Sequence, residues 1–201
     1  MAFRLLCGLI NSGTCGKQVS LMAGFQDKWR KGEDVLSPKE HARPAWDTYF
    51  LNIAKVVSQR STCIRRHYGA VIVNDHVIVS TGYNGACRGE TNCSDAGRCV
   101  REELKIPKGE RYELCVAVHA EQNAIINGDP GKMNGATIYV VGFNMDGTLA
   151  SGEPCLLCRR MIKNARIQRL VYLDRSGQEI SFKVAELTEP SVGHLMEANK
   201  G

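Results

Sequence analysis

Two short motifs, far apart in the chain, restrict its fold more than anything else in it: His119-Ala120-Glu121 and Pro154-Cys155-Leu156-Leu157-Cys158. Cysteines at i and i+3 share one face of a helical turn, so Cys155 and Cys158 can hold one ion together. Pro154 suits the start of that helix. At a helix N-terminus the macrodipole and the free N–H groups draw thiols toward the thiolate that a metal needs. Alone, Cys-x-x-Cys serves equally as a redox pair, half a zinc knuckle or two buried apolar side chains. His119 and Glu121 narrow the choice. Positions i and i+2 diverge on a regular helix, so the pair fits a first turn, where His119 faces a metal and Glu121 curls back toward the ligand beside it. One His and two thiolates leave the fourth tetrahedral position to water, which is the pattern of a catalytic zinc and not a structural one. Two thiolates also cancel the charge of Zn²⁺, so a nearby carboxylate base and the helix dipole are needed to restore reactivity toward water.

The rest of the chain is ordinary enough to let these motifs decide. Its 201 residues suffice for one domain with its own core. Apolar and charged contents of 43% and 23% are those of a soluble globular protein. A net charge of +5, scattered along the chain, suits an anionic small molecule but decides little. Nine cysteines, an odd number with metal-like spacings, point to a reducing compartment, read as cytoplasmic. No apolar run approaches the roughly 20 residues that span a bilayer. The opening Met1 to Ile10 faintly resembles a signal peptide, but its apolar run breaks early and no convincing cleavage site follows.

Residues 1–40 lack a sustained period and read as a disordered extension; 41–188 read as the domain and 189–201 as a flexible tail. Trp46, Tyr49, Phe50, Ile53, Ala54, Val56 and Val57 recur at helical spacing, predicting a helix from about Pro44 to Gln59. Tyr68 to Val73 and Val77 to Thr81 read as a strand pair about Asn74-Asp75. Gly82 to Leu114, rich in glycine and carrying Cys87, Cys93 and Cys99, reads as a long loop, of a length expected only where it is functional or pinned by something. A helix is expected from about His119 to an Asn127-Gly128 cap, with Ala124, Ile125 and Ile126 inward. Thr137 to Val141 and Leu170 to Leu173 read as buried strands. Between them Cys155 to Ala165 reads as a helix burying Leu157, Met161 and Ile162. Helices alternating with short apolar strands predict a layered α/β domain.

H-x-E followed by P-C-x-x-C is the signature of the zinc-dependent nucleobase deaminases. Around it, Arg60-Ser61-Thr62-Cys63, Tyr68 to Val73, Thr81-Gly82-Tyr83-Asn84-Gly85, Val118 to Ile125 and Pro154 to Cys158 resemble, in order and spacing, the bacterial deoxycytidylate (dCMP) deaminases over about residues 44–174. That resemblance implies a three-layer α/β/α sandwich of the cytidine-deaminase type, with a mixed sheet of about five strands. It implies hydrolysis of a cytosine nucleotide, dCMP to dUMP and ammonia, with zinc on His119, Cys155 and Cys158. Glu121 would carry protons between water, ring N3 and the leaving amine. It further implies a homo-oligomer, often a hexamer, dCTP and dTTP as effectors in some members, and a place in pyrimidine nucleotide metabolism.

By the same resemblance Asn84 contacts the sugar and Ala120 lines the substrate pocket. Local sequence alone reads Asn84 equally as a turn residue. For the 5′-phosphate, Arg65 beside Cys63 offers a planar donor fork, ahead of Arg66, Arg88 and Arg175. Some relatives hold a second, structural zinc at the positions of Cys63 and Cys93, which Cys99 and Cys115 would complete as a tetrathiolate; the alternative is ordinary buried thiols. Phe143 to Glu153 inserts a glycine-rich loop, expected at the active-site rim, where many relatives are shorter. Two rivals remain: a tRNA adenosine deaminase, which shares both motifs but not the Ser-Thr-Cys and Gly-Tyr-Asn-Gly context, and a non-catalytic zinc-stabilised binding protein, in which Glu121 would have no use. Nucleic acid and membrane partners are not expected.

Overall fold

The structure, a computed structural model, describes residues 43–107 and 110–187; the expected N-terminal extension and C-terminal tail lie outside them. Contacts divide the chain after Pro44, and every element below belongs to the second unit. Helix α1, Trp46–Ser58, carries Asp47 in its first turn and Lys55 in its last, both favourable to the helix dipole. Its buried face is Phe50, Leu51 and Ala54, a rotation from the expected stripe that leaves Val56 63% exposed and Trp46 stacked on His76 at 4.2 Å. The sheet begins with the hairpin β1 (Arg66–Asn74) and β2 (Val77–Tyr83). Its two-residue turn is Asp75-His76, both at positive φ (48° and 60°), which is the backbone of the primed turns that match strand twist.

After the first motif, helix α4 (Ala120–Asn127) leads through α5 (Pro130–Met133) to strand β5 (Thr137–Asn144). β5 pairs antiparallel with β1 and parallel with β7 (Arg169–Leu173), the crossover being helix α6 (Leu156–Asn164). The inserted segment is not a loose loop. It turns at Gly147, and β6 (Leu149–Ala150) pairs back onto β5. β8 (Glu179–Lys183) closes the far edge beside β7. The order β2-β1-β5-β7-β8, with β6 beside β5, makes a mixed six-stranded sheet.

Strand alternation divides the core into two layers. Val71, Val73, Tyr139, Val141, Val171 and Leu173 pack on Phe50, Leu51 and Ala54 of α1. Ala70, Ile72, Ile138, Val140, Leu170 and Tyr172 face Ala120 and Ala124 of α4 and Ile162 of α6. The expected α/β/α sandwich is what these two clusters build. Two expected core residues are solvent-facing instead: Ile126 is 65% exposed at the end of α4, and Leu157 is 45% exposed, because Cys155 and Cys158 turn the opposite side of α6 inward.

The Gly82–Leu114 stretch is partly ordered. β3 (Gly85–Ala86) pairs antiparallel with β4 (Ala117–Val118), and α2 (Cys93–Ala96), α3 (Val100–Glu103) and a 3₁₀ turn at Tyr112–Leu114 lie between them. That small ladder ties the Gly-Tyr-Asn-Gly segment to the residues immediately before His119. Gly82 lets α4 sit directly on β2: a Cβ there would lie 2.2 Å from the Ala124 nitrogen and 2.3 Å from the Ala120 carbonyl oxygen. Ser80 Oγ donates to the Ala124 carbonyl at 2.6 Å across the same contact. Among the described residues no helix is long and apolar enough to cross a membrane.

Candidate metal centre and active site

Both motifs stand at helix starts. His119 is the N-cap of α4, extended at φ −71°, ψ 156°, and its N–H donates to Gln122 Oε1 at 3.0 Å. Cys155 is the N-cap of α6 at φ −67°, ψ 165°, which puts Cys158 in the first turn. The turn before it is held by Arg159, whose Nε donates to the Pro154 carbonyl at 3.1 Å and whose terminal nitrogen pairs with Glu153. Because β5 carries the chain from α4 across the sheet before α6 returns on the same face, the two N-termini meet. His119 Nδ1 then lies 3.5 Å from Cys155 Sγ and 3.4 Å from Cys158 Sγ.

Those spacings test the fit of a metal. Tetrahedral zinc at about 2.3 Å from sulfur and about 2.0 Å from nitrogen holds N and S about 3.5 Å apart. The three donors all lie within 4.8 Å of one another, and they are the one such group of three or more among the described residues. Two soft thiolates and an imidazole suit zinc, and three protein donors leave a fourth position open. Nδ1 is the ring atom that faces the sulfurs, so with a metal on Nδ1 the proton of the neutral imidazole would sit on Nε2. Without metal the thiols share protons unequally. Cys155 is held far below the ordinary thiol range by the hydrogen bond from Cys158 and by His119, while Cys158 is pushed up by Cys155, burial and Glu121.

Glu121, the second residue of α4, is 6% exposed. Burial raises its pKa above that of an ordinary carboxyl, opposed by the neighbouring His119. It also lies within hydrogen-bonding reach of Cys158. A carboxyl buried beside an open metal position is placed to take and return protons there.

The remaining expected site residues divide. Asn84 is buried, and its carboxamide is engaged by β1: Oδ1 accepts from the Tyr68 N–H at 2.7 Å and Nδ2 donates to the Arg66 carbonyl at 2.9 Å. Its own carbonyl accepts from Ser61 Oγ at 2.9 Å and the Thr62 N–H at 3.3 Å. Asn84 therefore knots the Ser-Thr-Cys segment to the strand pair, and one N–H and one lone pair of the carboxamide remain for a ligand. Ala120 is fully buried in the core, its backbone as well as its methyl group. Arg65 is tied through Nε to Glu102 of α3 at 3.0 Å. Arg88 reaches Asn127 Oδ1 at 2.6 Å.

Cys63, Cys99 and Cys115 all act on Cys93, which they and burial push up, so the four thiols share one neighbourhood. They do not gather at ligand spacing. Sequence reasoning passed over two residues beside the centre. Tyr112 packs edge-on to His119 with centroids 5.1 Å apart, and Arg101, 7% exposed, lies over the Tyr112 ring. An arginine in a charged helix reads as a surface residue, and a tyrosine in a glycine-rich stretch carries no periodic signal.

Comparison with known proteins agrees with this geometry. The profile of the family described as the cytidine and deoxycytidylate deaminase zinc-binding region matches residues 44–174. The deoxycytidylate deaminase of Mycobacterium phage D29 is 42% identical over 135 residues, covering 65% of this chain and 96% of its own length. That of Schizosaccharomyces pombe is 34% identical over 147 residues, covering 72% of this chain but only 42% of the yeast protein, so the chain spans less than half of that relative. A crystal structure of the dCMP deaminase from cyanophage S-TIM5 in complex with dCMP and dUMP is 25% identical, with a TM-score of 0.45, covering 67% of this chain and 85% of that one. With its His-Cys-Cys group, its neighbouring buried glutamate and a family match over residues 44–174, which include both motif helices, the chain belongs to the zinc-binding cytidine and deoxycytidylate deaminase family.

Proposed function

We propose that this protein hydrolyses dCMP to dUMP and ammonia, with zinc on His119, Cys155 and Cys158 and Glu121 as its proton carrier. The observation that carries this reading is Glu121, buried two residues from His119 in the helix that presents that donor. Bound zinc supplies Lewis acidity, bringing the pKa of water toward neutrality. Glu121 takes a proton from the attacking water as its oxygen bonds to C4 of the cytosine ring. It delivers that proton to N3, then helps move one to the amino group as the C4–N bond breaks. Water and dCMP thus become dUMP and ammonia, and the carboxylate ends as it began.

The proposed substrate contacts are Asn84 to the sugar through its remaining N–H, the Ala120 backbone to the base, and Arg65 to the 5′-phosphate through its terminal nitrogens, Glu102 holding only Nε. Cys63, Cys93, Cys99 and Cys115 are the proposed ligands of a second, structural zinc that would draw in thiols already neighbouring one another. Zinc analysis of fully loaded protein is expected to give two ions per chain; one ion removes this second site. By family likeness the reading also carries a cytoplasmic homo-oligomer with dCTP and dTTP as effectors.

The substrate assignment is tested by ammonia release from dCMP, CMP, dCTP, deoxycytidine and a tRNA. dCMP is expected to give the highest kcat/KM. Preference for tRNA, with strongly salt-dependent binding, would assign the chain to nucleic-acid deaminases instead. No release from any of them by zinc-loaded protein would leave a zinc-stabilised binding protein.

A further inference from the structure

Arg101 is an unusual residue to bury. Its guanidinium sits on α3, and its partners are two backbone carbonyls and one ring: Nη1 donates to the Arg111 carbonyl at 2.9 Å, Nη2 to the Pro107 carbonyl at 2.8 Å, and its central carbon lies 5.3 Å from the centroid of Tyr112. A buried cation held by neutral partners carries a desolvation cost that only good geometry offsets. The planar fork provides that geometry, since its two terminal nitrogens reach carbonyls at either end of the 107–111 segment at once. With both ends of that segment fixed, the following turn is fixed too. Tyr112, its first residue, contacts both the guanidinium and His119, whose ring it meets edge-on at 79°.

We propose that Arg101 is a positioning residue of the metal centre, acting through Tyr112 to orient the ligand His119. Imidazole ligands need a partner outside the coordination sphere to fix their plane, and loss of such a partner costs about 10–100-fold in metal affinity or activity. Here an aromatic contact takes that place. His119 is anchored by its backbone through Gln122 and Asn123 and on its Nδ1 side by the two sulfurs, which leaves the rest of the ring to its packing neighbours. The Tyr112 ring, itself in contact with the Arg101 guanidinium, supplies that packing constraint.

This inference rests on zinc binding at His119, Cys155 and Cys158, and its test reads the metal rather than turnover. The protein would be loaded with Co²⁺ for its ligand-field spectrum, and with Zn²⁺ for the rate of metal loss to a chelator. Tyr112→Leu is expected to change the spectrum and speed zinc loss by about tenfold or more, whereas Tyr112→Phe, which keeps the ring, should behave as the parent protein. Arg101→Lys, which keeps the charge but not the fork, is expected to shift both readouts in the direction of Tyr112→Leu. The double variant should lose zinc no faster than Tyr112→Leu alone, because one acts through the other. A native cobalt spectrum in Tyr112→Leu with zinc loss within about twofold of the parent would overturn the proposal, as would full additivity of the two substitutions. Should Arg101→Lys not fold, the Tyr112→Leu and Tyr112→Phe pair decides alone. Failure of the zinc reading itself would appear as parent protein that binds no stoichiometric metal.

Discussion

Replacing the Glu121 carboxylate by an amide of nearly the same shape separates its chemical role from its packing. Glu121→Gln is expected to keep its zinc and lose about 10²-fold or more in kcat, measured by metal analysis and ammonia release on the same preparation. Retention of most of the turnover would remove Glu121 from the mechanism. The ionisation of Glu121, opposed by burial, has two further consequences of opposite sign. As a base, Glu121 works only when ionised, so kcat/KM of the zinc-loaded enzyme should fall with decreasing pH. In metal-free protein, a carboxyl with a folded pKa above its unfolded value favours folding at low pH and opposes it once pH rises through the folded value. Metal-free Glu121→Gln should therefore melt higher than the metal-free parent at neutral pH, and a lower Tm would contradict the burial argument. His119, Glu121, Cys155 and Cys158 were legible because ligand chemistry demands particular residues at particular spacings. Arg101 and Tyr112 act through neighbours brought close by folding, and no spacing rule announces them.

At the scale of elements, the site depends on how closely α4 rests on β2. Gly82→Ala would place a Cβ 2.2 Å from the Ala124 nitrogen, with backbone on both sides and no flexible side chain to yield. A loss of about 2–3 kcal/mol in urea unfolding is expected, with weaker zinc binding because the His119 end of α4 is displaced. A loss below about 0.5 kcal/mol would mean that the contact is looser than drawn. On the opposite face, Asp47 clamps α1 to the sheet, accepting from Arg169 at 2.8 and 2.5 Å and from the Tyr139 hydroxyl at 2.8 Å. These bonds hold the Asp47 pKa below the ordinary value, Arg169 foremost. Its contribution is present above the unfolded carboxyl pKa and is lost as pH falls through the depressed one. Asp47→Asn should cost about 1–2 kcal/mol at neutral pH and nothing in strong acid, measured by thermal unfolding across pH.

Elements with internal periodicity were legible: α1, the first hairpin, β5, α6 and β7 all stand near where alternation or helical spacing placed them. β8 was not, because its residues are mostly exposed and an edge strand leaves little apolar pattern. Nor were α2 and α3, each four residues long, which no periodicity can mark. The extra residues of 143–153 read as a loop because β6 is only two residues long and takes its order from β5. Leu157 and Ile126 were misplaced for one reason. Helical spacing names a face, but the ligand residues and the close seat of α4 set which face turns inward.

For the whole molecule, topology brings two helix N-termini separated by 36 residues of chain to within 3.5 Å at their side chains. A metal held at that junction links α4 to α6 and is expected to stabilise the fold as well as to equip it for chemistry. Chelation should lower Tm, and the loss should reverse on adding zinc. The central claim is that these donors and Glu121 form one hydrolytic deaminase centre for dCMP, and ammonia release from dCMP tests it most directly, assayed on zinc-loaded protein, on the same protein after chelation, and after zinc is restored. The expected result is release that disappears with the metal and returns with it. A folded, zinc-loaded protein that releases no ammonia from dCMP, or one whose release is indifferent to chelation, would contradict the claim.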